Sequence, residues 1–174
     1  MRPLVSLLWL LGCAPDEAET GSPSSPVEPC ESGAEPSAEA GHGELRFMHF
    51  EEGHRTPIEL VHGPQGGFHS TIAVRAQQLN PDTAYVVDLV GTIDGLEMGG
   101  GTPLSKFRCN HHAGAQEFTG GLLIWDAQPE DVHDRVATVA VYVIDPTQET
   151  GNGHPVIVAQ DTAEFTIWDP ALEN

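Results

Sequence analysis

From Glu44 to Asp169 the large hydrophobic residues fall in short runs, often at every second position, and Gly, Pro, Asn and Asp separate the runs. A period of two is the mark of a strand with one buried face. Leu45–Phe50 is the first candidate strand and Ile58–Val61 a short second one. Phe68–Leu79 is longer: Phe68, Ser70, Ile72, Val74 and Ala76 share the face predicted to meet the core. His69, Thr71, Ala73, Arg75 and Gln77 share the other. Asn80-Pro81-Asp82-Thr83 has the chemistry of a turn, and Tyr85, Val87, Leu89 and Ile93 mark the strand after it. Gly99-Gly100-Gly101 breaks the pattern, Leu104–Cys109 reads as a short edge strand, and Phe118, Leu122 and Ile124 mark another. Val136–Ile144 is the strongest, with Val139, Val141 and Val143 on one face. A loop from Asp145-Pro146 to Asn152-Gly153 leads into Val156–Ala159 and Ala163–Trp168, which complete a hairpin with it. Gln128–Asp134 has room for one short helical turn.

This pattern predicts an all-β domain over residues 44–174, of about seven to nine antiparallel strands. The spacing fits an immunoglobulin-like β-sandwich, with a jelly roll as the alternative. Neither fold fixes a function. Trp125 and Trp168 fall out of phase with the core residues beside them. They are read either as lining the other sheet face, where a protein or glycan partner stacks, or as packed under a loop.

Residues 13–43 have a different texture. Asp16, Glu17, Glu19, Glu28, Glu31, Glu35 and Glu39 meet no Lys or Arg there, prolines recur, and Val27 is the one large aliphatic residue. Such a stretch buries too little apolar surface to offset the entropy of ordering, so it is predicted to be a disordered, self-repelling tether. A flexible chain of that length reaches about 30 Å.

Ahead of the tether, Arg2 is followed by an apolar run from Leu4 to Leu11 and then Gly12-Cys13. The run is shorter than the about 20 residues needed to span a bilayer, and it reads as the apolar part of a secretion signal over residues 1–12. Leu10-Leu11-Gly12-Cys13 resembles the lipobox of bacterial lipoprotein precursors. The resemblance implies cleavage before Cys13, lipidation of its sulfur, and a membrane-anchored protein of the bacterial cell envelope. In lipoproteins of two-membrane bacteria an Asp after the cysteine favours the inner membrane, so Ala14 implies the outer one. Val61-His62-Gly63-Pro64-Gln65-Gly66-Gly67-Phe68-His69 is also similar to a motif in some uncharacterised bacterial lipoproteins, which implies a shared fold and no activity.

The formal charge is −19, and loss of Arg2 with the signal makes it −20. Such acidity argues against nucleic acid and against anionic lipid heads as partners. With Cys13 assigned to lipid, Cys30 and Cys109 are left in a compartment where disulfides persist. They pair with each other, or Cys109 stays free as a metal ligand.

Nine histidines make a metal site worth weighing. Cys109-Asn110-His111-His112 places three possible ligands close together, and His62 and His69 flank the Gly-Pro stretch. A copper or zinc site using His62, His69, His111, His112 and Cys109 is the alternative to a domain with no cofactor. The spacings do not favour it. A blue-copper site needs a Met shortly beyond its Cys and His, and the methionines are Met1, Met48 and Met98. The copper–zinc dismutase pattern needs His where Thr71 stands. On the other reading Pro64 and Gly66-Gly67 form a turn feeding a strand. There is no Gly-x-Ser-x-Gly elbow, His-Glu-x-x-His site or phosphate loop, so no catalytic residue is assigned and the chain is expected not to be an enzyme.

Overall fold

A computed structural model describes residues 30, 35–51 and 55–173. Residues 1–29, including Cys13 and most of the expected tether, lie outside the described residues. The strands are β1 (Ser37–His42), β2 (Met48–His49), β3 (Pro57–Glu59), β4 (Val61–His62), β5 (Phe68–Gln77), β6 (Tyr85–Ile93), β7 (Leu96–Gly101), β8 (Leu104–Ser105), β9 (Arg108–Asn110), β10 (Ala115–Trp125), β11 (Val136–Glu149) and β12 (Pro155–Trp168). The single helical turn among the described residues, α1 (Pro129–Val132), falls where the sequence leaves room for it.

The domain is all-β and sandwich-like. The strand order is β2-β1-β5-β10-β7-β6-β11-β12-β3, with β4 on β5, β8 on β6 and β9 on β10. The ladder turns a corner at β10 and β7, which share only the rungs Ile124–Gly100 and Trp125–Gly99. One layer is thus β2-β1-β5-β10 and the other β7-β6-β11-β12. Their inner faces meet in one core that includes Ile72, Val74, Leu123 and Trp125 from the first layer and Leu89, Val139, Val141 and Phe165 from the second. Phe165 is central to that contact, stacked on Phe50 at 5.7 Å and tilted against Trp125 at 6.3 Å.

The strand count exceeds the expected seven to nine because several strands are only two or three residues long. Some of these bridge the layers. β3 pairs parallel with β12 and β4 antiparallel with β5, so residues 57–62 cross from one layer to the other. Leu60, between them, is buried and donates its N–H to Trp168 O at 2.7 Å. The parallel pairing follows from that crossing.

Three expectations need correction. The tether does not extend to residue 43, because Ser37–His42 forms β1, paired along its full length with β5. Its inward residues are Ala38 and Ala40, too small to give a hydrophobic signal, and the strand is held by backbone pairing and by Ala40 N donating to Asp161 Oδ2 at 2.8 Å. Leu45–Phe50 is mostly not a strand: only Met48–His49 pairs, and Leu45 stands out in solvent.

The third correction concerns β10. Leu122 and Ile124 are 45% and 53% exposed, while Leu123 and Trp125 are buried. The cause is a bulge. Phe118 pairs with Val74 and Gly121 with Ile72, so three steps on β10 match two on β5. The extra residue lies in Thr119-Gly120, with Gly120 at φ +74. Each strand face inverts past such an insertion. Trp125 is therefore a core residue and not a lining of the outer face. Its indole N–H donates to Ser70 Oγ at 3.1 Å. Gly91 and Gly99 make room for the ring, since a Cβ on Gly99 would sit 2.9 Å from it.

Candidate functional site

The Val61–His69 stretch is a hairpin. Gly66 N donates to Gly63 O at 3.0 Å and Gly63 N to Gly67 O at 2.7 Å, with Gly66 at φ +85. Val61 then pairs with His69, and His62 with Phe68. Pro64 presets the turn and Gly66 takes the positive φ, as the turn reading requires.

That hairpin delivers His62 to an acid that no sequence motif singles out. Asp169, just past the end of β12, is fully buried. Its Oδ2 accepts from His62 Nε2 at 2.8 Å, its Oδ1 accepts from Ala171 N at 2.8 Å, and its own N–H donates to His133 Nδ1 at 2.9 Å. Burial pushes the Asp169 carboxyl up. The bonds from Ala171 and His62, with the charges of His62 and His133, outweigh it and hold the group below the usual carboxylate range. The signal available in the sequence is local: an acid closing an apolar strand and followed by Pro170-Ala171, the form of an Asx turn. Chemically the arrangement is an imidazole oriented by its Nε2 bond to a buried carboxylate. Structurally it clamps β4, the residues after α1 and the end of β12 to one another.

Asp145 repeats the theme at the far end of β11. Burial raises it, but bonds from the backbone and hydroxyl of Thr147 and from Gln148 hold it below the ordinary value. The distances are 2.8, 2.6 and 2.7 Å.

The outer face of the first layer carries a charged row. Glu39, Arg75, Glu117 and Arg108 occupy one rung across β1, β5, β10 and β9. Arg75 donates to Glu117 Oε1 from Nε at 3.2 Å and from Nη2 at 2.8 Å, and its Nη1 donates to His49 Nε2 at 3.0 Å. His49 Nδ1 in turn donates to Glu39 at 2.5 Å, and Asn110 donates to Glu117 Oε2 at 3.1 Å. Phe47 lies under the Arg75 guanidinium at 4.2 Å.

The five residues weighed as metal ligands do not gather. Cys109 is bonded to Cys30, with the Cα atoms 5.9 Å apart. His62 gives its Nε2 to Asp169. His69 pairs with Ile124 at one end of the β5–β10 ladder, whereas Gln116, the partner of both Cys109 and Ala76, lies at the other. The separation along β5 is roughly 23 Å. His111 and His112 sit in the exposed β9–β10 turn, just past Cys109 in β9. Among the described residues no group of three or more His, Cys, Asp or Glu side chains is placed to hold a metal ion. The copper or zinc site drawn from those five residues is thus not assembled, because the topology sends them to opposite ends of the sheet.

The second tryptophan set apart by the sequence, Trp168, is half-buried and donates its indole N–H to Glu173 at 2.6 Å. Around the β9–β10 turn, Leu45, Arg108, Cys109, Asn110, His111 and Glu117 line much of an open recess of about 350 Å³. No protein-family model and no curated protein matches this chain.

Proposed function

We propose that this chain is a bacterial lipoprotein that holds a β-sandwich domain at the cell envelope, with lipid on Cys13 as its anchor. The observation that carries the reading is Leu10-Leu11-Gly12-Cys13, set directly after an apolar run and before an acidic, proline-rich stretch. Each buried CH₂ contributes about 0.8 kcal/mol, so two or more acyl chains on one residue make a durable anchor where one does not. Ala14 supports the outer membrane as the destination. The domain binds or supports a protein or glycan partner, and no acid of it is assigned a catalytic role. Asp169 and Asp145 spend their oxygens on hydrogen bonds that hold the fold, and on the first layer Glu117 is engaged by Arg75 and Glu39 by His49.

The test is expression in a two-membrane bacterium fed a clickable fatty acid. The wild-type chain takes up label and fractionates with the outer membrane. Cys13→Ala takes up none and leaves the membrane fraction. Ala14→Asp keeps the label and moves to the inner membrane. A wild-type chain without label, or a labelled Cys13→Ala, contradicts the reading.

A further inference from the structure

The disulfide does not sit in symmetric surroundings. On one side, Cys109 Sγ is 3.7 Å from His111 Nδ1, and Arg108 precedes it in β9. On the other, Cys30 Sγ is 3.4 Å from the carbonyl oxygen of Ala115. An imidazole beside a sulfur favours its thiolate, by carrying or sharing the proton. A carbonyl oxygen disfavours a thiolate and instead accepts from a thiol S–H. Both cysteines are only half-buried, and Cys109 opens onto the recess. Two further groups line that recess: His112, and Glu117, which is engaged by Arg75 and Asn110.

Exchange proceeds faster when the departing sulfur is the better leaving thiolate. We propose that Cys30–Cys109 is a polarised thiol-exchange site, at which an incoming thiolate attacks Cys30 and Cys109 departs as the thiolate beside His111. The sulfur of the incoming thiolate bonds to Cys30 Sγ, the Cys30–Cys109 bond breaks, and its electron pair stays on Cys109, which shares or takes the His111 proton. A second thiol then attacks the partner's sulfur in the mixed disulfide. The two partner sulfurs leave as an oxidised dithiol product, and Cys30 becomes a thiol that donates to Ala115 O. The substrate class is a small-molecule or protein thiol. In the intermediate the partner is carried on Cys30, while Cys109 stays in β9.

The test uses the full chain carrying Cys13→Ala, so that two sulfurs report. It is incubated with reduced glutathione in native buffer, quenched with acid, alkylated with N-ethylmaleimide and mapped by peptide mass. Glutathione is expected on Cys30 and the alkyl group on Cys109, with a bias of about fivefold or more. His111→Gln slows the exchange about threefold or more and evens the distribution, while His112→Gln leaves both unchanged. Circular dichroism confirms that both turn variants are folded, and the wild-type distribution stands as evidence without any variant. Three results overturn the proposal: glutathione mainly or equally on Cys109, no exchange without denaturant, or a His111→Gln protein indistinguishable from the parent.

Discussion

Asp169 shows how one residue far from any sequence motif can govern a junction. It is buried, charged and held by His62, by His133 and by its own turn at Ala171. Replacing it with Asn removes the charge but keeps an acceptor, and the loss is expected to be about 1–3 kcal/mol at pH 7 by urea unfolding. Its pKa is depressed in the fold, so its contribution is present above the ordinary value of 3.8 and is lost as pH falls through the lower folded value. The gap between wild type and Asp169→Asn therefore closes in strong acid. His42 acts in a different window. Burial lowers its pKa from 6.5, against a raising bond at His49, so the fold favours neutral imidazole and stability declines as pH drops below 6.5. His42→Gln is expected to flatten that part of the stability profile. At Gly99 the argument is steric: a Cβ meets the Trp125 ring and Ile124 O at 2.9 and 3.1 Å. Gly99→Ala should cost about 1–3 kcal/mol and shift the tryptophan fluorescence.

Among the strands, those with large residues at strict alternation are legible in the sequence alone. β6 and β11 bury the sets that the period of two assigns, and β5 does so from Ser70 to Ala76 with Ala73 of the other face enclosed as well; Ile72, Val87 and Val141 are fully enclosed. β1 escapes that pattern because alanines carry its inner face, and a strand held by its backbone leaves little hydrophobic trace. β10 is visible as a strand, but its period points to the wrong face past Phe118. An insertion at Thr119-Gly120 resets the phase, and a window that assumes one period cannot see it. Deleting Gly120 takes out the extra residue, so Gly121 becomes the second residue after Phe118 and Leu123 and Trp125 are expected to stay inward on an unbulged strand. The near-ultraviolet dichroism of the Trp125 site should survive the deletion, whereas its collapse would mean that the bulge is more than one inserted residue. The site is partly legible too: Pro64 and the glycines announce the hairpin that presents His62, but its partner lies 107 residues away along the chain, beyond any local pattern.

Across the molecule, the layers are joined at both ends, by the β10–β7 corner and by the 57–62 crossing. The disulfide adds a link from Cys30 to β9 over a separation of 79 residues. Replacing both cysteines with Ser should cost about 4 kcal/mol in the chain-entropy model, read as a lowered urea midpoint. The proposed anchor and the acidic stretch would place this folded body at a membrane without bringing its negative surface close to lipid heads. The most direct test of that account is the intact mass of the mature protein, extracted from bacterial membranes in detergent. The expected polypeptide begins at Cys13, lacks residues 1–12 and carries the added mass of a diacylglyceryl group and an N-acyl chain on that residue. A mature chain that retains residues 1–12, or one that begins elsewhere with an unmodified Cys13, would contradict the lipoprotein reading outright.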